Sequence, residues 1–236
     1  MVENITPDRE TGAGAWTDDM LARAIREGIG HDGRTLFPLM PYTRYRAMSD
    51  EDLASVIVYL RSLPGVHRQM PKTEINFPVN RLIKGVPRPI TRPVVAPDLS
   101  TAIKRGSYLA NIANCVECHT PRNRGQAIAG LEFAGGFPFD TPQGTVASAN
   151  ITPDPTGIPY YDEQTFVQTL RAGQVKARKL NPVMPWAVYR NMTDEDLKAL
   201  YAYVRTIKPV KHRVDNTEKP TLCKLCKQVH GSGASN

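Results

Sequence analysis

Five consecutive residues, Cys115, Val116, Glu117, Cys118 and His119, have the types and spacing for covalent cofactor chemistry. In a C-x-x-C-H pattern, two thiols add across the vinyl groups of a porphyrin and the adjacent imidazole takes one axial position on the iron. The pattern therefore predicts a covalently attached haem c. The alternatives are a CxxC redox pair or half of a zinc site. A zinc site needs further ligands at close spacing, and none follows within the next few dozen residues.

A second axial ligand is expected downstream, because a methionine opposite a histidine raises the potential of an iron that carries electrons. Met184 is the preferred candidate, since the prolines on both sides of it exclude regular helix and can hold its side chain in a fixed presentation. The alternative is that Met184 fills a gap in the core. Met192 has a structural explanation, because it precedes Thr193, a predicted helix N-cap, and can pack on Leu197.

The elements that must position these residues include an internal repeat. Residues 4–66 match residues 150–210 in the same order, so that N-I-T-P-D at position 4 recurs at position 150 and Met40 aligns with Met184. The first copy contains no counterpart of residues 100–149, which carry the C-x-x-C-H motif. Met40 is therefore predicted to be the distal ligand of a haem domain whose attachment half is missing.

Apolar periodicity predicts two helices in each copy. The first pair is predicted over 18–27 and 162–172, and Gly28 and Gly173 are expected to end these helices in the left-handed conformation. The second pair is predicted over 50–63 and 194–207. The expected fold class is all-α, with two tandem domains, of which the first lacks its N-terminal half.

Four regions follow from these patterns. Residues 1–66 are predicted to be the second half of a haem domain, 67–98 a proline-rich extended linker, 99–212 a complete haem domain, and 213–236 a flexible tail. The complete domain is expected to open with a helix over 101–113 capped by Ser100.

Residues 120–149 contain several glycines and prolines and are predicted to form a loop around the haem edge. The carbonyl of Pro121 is a candidate acceptor for the Nδ1 proton of His119, and the alternative is a simple turn proline. In the tail, Cys223, Cys226 and His230 have the spacing of an incomplete zinc site. In an oxidising compartment a local disulfide or a pair of exposed thiols is the preferred interpretation, and no function is assigned to these residues.

Composition restricts the classes of function. The 236 residues carry a net charge of +7, but the basic residues are scattered and no nucleic-acid motif is present, so no nucleic-acid partner is expected. A basic surface can instead attract an acidic redox partner or anionic lipid headgroups, so peripheral membrane association is allowed. No apolar run reaches the length of about 18 residues that spans a bilayer.

The amino terminus has no export signal, with neither a basic segment nor an apolar core. Because haem c is attached outside the bacterial cytoplasm, the chain is expected to be incomplete or processed.

Together these residues resemble the multi-haem cytochrome c subunits of bacterial periplasmic dehydrogenases, such as the alcohol and gluconate dehydrogenase cytochrome subunits. The resemblance covers residues 4–66 and 100–212. It is carried by R-G-S-Y-L-A before C-V-E-C-H-T-P, then G-G-F, N-I-T-P-D, M-P-W and M-T-D-E-D-L. The chain departs from the family at Pro159, where a glycine is more usual.

The resemblance implies tandem class I cytochrome c domains and a periplasmic electron-transfer subunit that is not itself an enzyme. It implies that Cys115 and Cys118 attach one haem, that His119 and Met184 are its axial ligands, and that Met40 has no haem in this chain. The implied partners are a dehydrogenase catalytic subunit as electron donor and quinone or a terminal oxidase chain as acceptor. The alternative is a dihaem peroxidase-like enzyme, which needs an open sixth position on one iron.

Overall fold

A computed structural model of the protein describes residues 3–142, 144–214, 216, 221–222 and 229–230. The chain divides into two compact units, residues 1–97 and residues 98–236. Within the described residues, no helix has both the length and the apolar character needed to cross a membrane.

The first unit is built from short helices. These are α1 (Asp18–Glu27), α2 (Tyr42–Tyr45), α3 (Asp50–Ser62), α4 (Val79–Leu82) and a 3₁₀ helix (Ile83–Gly85).

The second unit combines helices with short strands. In chain order these are α5 (Ala102–Ile112), α6 (Cys115–Cys118), β1 (Arg122–Asn123), β2 (Gln126–Ala127), β3 (Pro138–Thr141), β4 (Gly144–Ala147), α7 (Glu163–Ala172), β5 (Gln174–Val175), β6 (Arg178–Lys179), α8 (Trp186–Tyr189), α9 (Asp194–Val204), β7 (Thr221–Leu222) and β8 (Val229–His230).

The prediction of an all-α fold is wrong. Helices form only a minority of the described residues, and the strands among them pair into two-stranded antiparallel sheets, β1 with β2, β3 with β4, β5 with β6 and β7 with β8. Two of these hairpins lie in the stretch predicted to be loop. The turn between β1 and β2 has positive φ at both central residues, Arg124 (50°) and Gly125 (81°), which matches the twist of a tight hairpin.

The helix predictions are confirmed with small differences at the ends. The α9 helix begins after Thr193, whose Oγ1 accepts a hydrogen bond from the Asp196 amide at 3.1 Å, as the predicted N-cap requires. For α5, the N-cap is Thr101 and not Ser100, because the Thr101 Oγ1 accepts from the Lys104 amide at 3.3 Å. Helix ends depend on single hydrogen bonds, so a shift of one residue is the expected error.

The internal repeat is also a structural repeat. The α1 and α7 helices end at Gly28 (φ 73°) and Gly173 (φ 64°), both left-handed as predicted. In each unit an aromatic ring covers this glycine. A Cβ would lie 2.6 Å from the ring of Tyr42 at the first position and 2.2 Å from the ring of Trp186 at the second. Glycine is therefore required for both the backbone conformation and the space.

Residues 67–97 belong to the first compact unit and contact it. Ile83 is buried, the Val94 carbonyl accepts from the Asp50 amide at 2.9 Å, and Glu27 accepts from the Ile90 amide at 2.8 Å. The segment also contains α4 and the 3₁₀ helix, which its proline content did not predict. Its prolines lie around these short helices, where missing amide donors cost little.

In the second unit, α5 crosses α9 at close range. A Cβ on Gly106 would lie 1.9 Å from the carbonyl oxygen of Ala199, so the two helix backbones are nearly in contact there. Arg105, the preceding residue, pairs with Asp196 and Glu195 on α9, both at 2.7 Å. These interactions hold the N-terminal half of α5 against α9, and the C-x-x-C-H motif follows the other end of the same helix.

The corresponding face of α3 in the first unit is exposed. On α9, Ala199 is buried, with 1% of its surface exposed, and Tyr203 is half-buried. Tyr59 and Ser55 occupy the aligned positions on α3, and both are exposed, with 63% of Tyr59 accessible.

Candidate functional site

The two cysteines of the motif lie on a single helical turn. The α5 helix ends before Asn114, which adopts the left-handed conformation (φ 62°) and turns the chain into α6, Cys115–Cys118. Residues three apart on a helix share a face, so the two thiols are neighbours. Both are free and half-buried. The structure thus brings the predicted attachment residues together, with His119 immediately after them.

The ring of His119 is oriented by one hydrogen bond. Its Nδ1 lies 2.7 Å from the carbonyl oxygen of Ala149. Because a carbonyl can only accept, Nδ1 carries the proton and Nε2 is left with its lone pair. Burial lowers the pKa of His119, and the Ala149 carbonyl raises it, with burial the larger effect. The neutral ring is the form that binds a metal ion.

The candidate acceptor in the sequence, the Pro121 carbonyl, is not the partner of His119. It accepts from the Ile128 amide at 3.0 Å instead. Ala149 lies 30 residues beyond His119 and contributes a main-chain oxygen, so its side-chain type carries no signal of this role.

The thiols have the protonation of buried cysteines. Burial raises the pKa of Cys115 to about 12, with a smaller contribution from Cys118, and burial also raises the pKa of Cys118. Cysteines that exchange disulfides have the opposite property, a lowered pKa that supplies the thiolate. Neither thiol has the lowered pKa that is typical of a disulfide-exchanging cysteine.

Met184 lies in the loop between β6 and α8. Its amide donates to the Asn181 carbonyl at 3.0 Å, and its carbonyl accepts from the Trp186 amide at 2.8 Å. The side chain is half-buried and packs against the apolar cluster of α5, α7 and α9, which consists of Ala110, Leu170, Leu197 and Leu200. Cys115 packs against the same cluster. The predicted tether and the predicted distal ligand therefore share one apolar core.

Met192 also packs against this apolar cluster, so packing alone does not separate the two methionines. The cluster includes Leu197, the residue on which Met192 was expected to pack as a helix-entry side chain. The amide of Met192 donates to the Tyr189 carbonyl at 3.0 Å.

Tyr189 links the methionine segment to the haem-attachment motif. Its hydroxyl donates to the carbonyl of Ala113 at 2.7 Å, two residues before Cys115. The role of this tyrosine was not predicted from the sequence. A usable signal existed, because the tyrosine recurs as Tyr45 in the first copy of the repeat.

In the first unit, Met40 has the same local geometry as Met184. Its amide donates to the Phe37 carbonyl at 3.1 Å and its carbonyl accepts from the Tyr42 amide at 2.8 Å. The side chain is half-buried. Residues 1–97 contain no cysteine, so this unit has no attachment motif.

The tail residues Cys223 and Cys226 lie outside the described residues, and for His230 only the backbone, in β8, is described. Elsewhere, within the described part of the chain, no three His, Cys, Asp or Glu side chains are grouped as metal ligands.

Comparison with known proteins agrees with this geometry. Residues 103–208 match the family described as Cytochrome c. The chain is 30% identical over 224 residues to a "Diheme cytochrome c-type" of Cereibacter sphaeroides, covering 89% of this chain and 72% of that protein. It is 31% identical over 216 residues to a "Fructose dehydrogenase cytochrome subunit" of Gluconobacter japonicus, covering 86% and 44%.

A shorter match concerns a "Gluconate 2-dehydrogenase cytochrome c subunit" of Pantoea cypripedii. The two chains are 42% identical over 121 residues, which cover 50% of this chain and 26% of that protein. The chain thus spans less than half of the length of the two dehydrogenase subunits that it matches.

Proposed function

Because the chain belongs to the cytochrome c family, we propose that it is a cytochrome subunit of a dehydrogenase and carries electrons through one haem c held by the second unit. Cys115 and Cys118 form the thioether bonds, His119 is the proximal ligand and Met184 the distal ligand. The observation that carries this proposal is the hydrogen bond from His119 Nδ1 to Ala149, because it leaves Nε2 free for iron on the same turn as both thiols.

The residues of the second unit fit this cofactor. Bound haem supplies a one-electron couple between ferric and ferrous iron. The soft thioether of Met184 favours the ferrous form, and the half-buried position of this side chain on the apolar cluster limits the access of water. The hydrogen bonds on either side of Met184 hold its backbone in place. Two ligands that stay bound in both oxidation states require little rearrangement during electron transfer.

For the first unit we propose that residues 1–66 are the second half of a further haem domain, with Met40 as its distal ligand. The support is the matching backbone geometry at Met40 and Met184 and the similarity to a protein described as dihaem. This chain contains one C-x-x-C-H motif, so we propose one covalent haem for it.

The proposed partners follow from the relatives. They include proteins named as cytochrome subunits of fructose, alcohol and gluconate dehydrogenases. We propose a dehydrogenase catalytic subunit as the electron donor, quinone or a terminal oxidase chain as the acceptor, and the periplasm as the location, with peripheral membrane association allowed by the net charge of +7.

The test is expression in a bacterial periplasm with a haem c maturation system. We expect one haem that stays attached after denaturation and a low-spin, six-coordinate spectrum. The Met184→Ala variant should lose the methionine-to-iron charge-transfer band, bind carbon monoxide and have a lower midpoint potential, because the thioether that favours ferrous iron is gone.

The matched control is Met192→Ala, which should keep the charge-transfer band. The reverse pattern in these two variants would show that Met192 is the ligand. A wild-type protein without covalent haem would contradict the proposed function, and one that readily binds carbon monoxide would support the peroxidase-like alternative.

A further inference from the structure

The segment that follows α9 is hydrogen-bonded to Asn150, the residue next to Ala149, whose carbonyl accepts from the ring of His119. Asn150, which is 3% exposed, donates from Nδ2 to the carbonyls of Val210 (2.9 Å) and His212 (3.1 Å). Its Oδ1 accepts from the amide of Thr152 at 2.9 Å. Asn150 directly follows Ala149, so these bonds hold the peptide that presents the Ala149 carbonyl.

The side chain of His212 reaches a second segment beside the site. Its Nδ1 lies 2.9 Å from the carbonyl oxygen of Ala134, and because a carbonyl only accepts, Nδ1 is the donor. The imidazole is half-buried and fills the space over Gly136, where a Cβ would lie 2.7 Å from its Cε1. The ring therefore packs directly on residues 134–136.

Asn150 and His212 thus support two segments, Ala149 and residues 134–136, and both segments are hydrogen-bonded to His119. The amide of Gly135 donates to the main-chain carbonyl of His119 at 2.7 Å, while Ala149 accepts from its ring at 2.7 Å. Gly135 also lies against the main chain of Ala149, since a Cβ on Gly135 would lie 2.3 Å from the carbonyl carbon of Ala149. A displacement of residues 134–136 would therefore disturb both of these hydrogen bonds.

We propose that His212 is a positioning residue for His119, which holds residues 134–136 so that the ring of His119 keeps its hydrogen bond to Ala149. This inference rests on the proposed role of His119 as an iron ligand. A hydrogen bond at Nδ1 makes the imidazole a stronger electron donor, so its strength affects the balance between ferric and ferrous iron.

The first copy of the repeat keeps the equivalent of Asn150 but not that of His212. There Asn4 makes the equivalent bonds, to the carbonyls of Val66 (2.7 Å) and Arg68 (3.4 Å). The position aligned with His212 is Arg68, so the asparagine belongs to the repeated scaffold whereas the histidine is particular to the unit with the attachment motif.

The experiment compares His212→Ala with His212→Asn in the haem-loaded protein. The amide nitrogen of asparagine occupies nearly the place of the histidine Nδ1, so His212→Asn can still donate to Ala134. The matched control is Lys211→Ala, which removes an exposed neighbouring side chain. The readouts are the solvent-exchange rate of the His119 Nδ1 proton, by NMR of ferrous protein with ¹⁵N-labelled histidine, and the midpoint potential.

We expect faster exchange and a higher midpoint potential in His212→Ala, with wild-type values in His212→Asn and Lys211→Ala and equal haem content in all. If His212→Ala does not fold, His212→Gln replaces it, because glutamine moves the amide one bond too far and should behave as the alanine variant does.

Two failures are distinguishable. Absence of covalent haem from the wild-type protein overturns the proposed function. Covalent haem together with unchanged exchange and potential in His212→Ala or His212→Gln overturns the positioning role alone, as does an asparagine variant that behaves like alanine.

Discussion

Replacing Gly106 with alanine is expected to force α5 and α9 apart. The added Cβ would lie 1.9 Å from the carbonyl oxygen of Ala199, 2.5 Å from its carbonyl carbon and 2.8 Å from the Cβ of Tyr203. These are backbone atoms and a Cβ, which no side-chain rotation can remove. Because carbon atoms in contact are normally about 3.5 Å apart or more, the helices would have to separate by more than ~1 Å.

The net effect follows from two opposing contributions. In an uncrowded helix, alanine is more stable than glycine by about 1 kcal/mol. Overpacking usually costs about 1–3 kcal/mol, and a backbone clash belongs at the upper end. The expected net loss is therefore ~2 kcal/mol in the free energy of unfolding, which lowers the melting temperature by roughly 6 °C or more for a domain of this size.

The assay is thermal unfolding of the haem-loaded protein, followed by circular dichroism. The matched control is Ser107→Ala, at the next position of α5, which adds no atom and should change the melting temperature little. If Gly106→Ala melts at or above the wild-type temperature, the close helix crossing is not a requirement of the fold.

Three further predictions concern stability. Asp194 pairs with Arg171 at 2.6 Å, and this hydrogen bond holds the pKa of Asp194 below its ordinary value of 3.8. The stabilisation by this ion pair is therefore complete above about pH 3.8, the ordinary pKa, and is lost as the pH falls through the lowered pKa of Asp194. Asp194→Asn should thus lower the melting temperature at pH 7 but not in strong acid. Thr193→Ala should cost about 1 kcal/mol in chemical denaturation by removing the N-cap of α9, whereas Thr193→Ser should not. Amide exchange should be faster in residues 1–66 than in 100–212, because the aligned helix face is exposed in the first unit, and equal protection would contradict this.

The sequence was sufficient for the features that depend on neighbouring residues. It predicts α1, the glycines that end α1 and α7, and the N-cap of α9, because each depends on bonds within a few positions. The repeat adds the correspondence between Met40 and Met184, which the matching backbone geometry supports. The ligand role of Met184 stays a prediction, since Met192 packs on the same cluster.

The tertiary structure decided the features that join distant residues. The short hairpins escaped prediction because strands of two to four residues are too brief to show a clear alternation. The partner of His119 could not be read from residue types, since Ala149 contributes only a carbonyl that every residue has. Gly106 is a glycine because Ala199 passes beside it, 93 positions away. Local sequence thus determined which residues can do the chemistry, and packing determined which backbone atoms orient them, because backbone groups are the same at every position and only the fold selects among them.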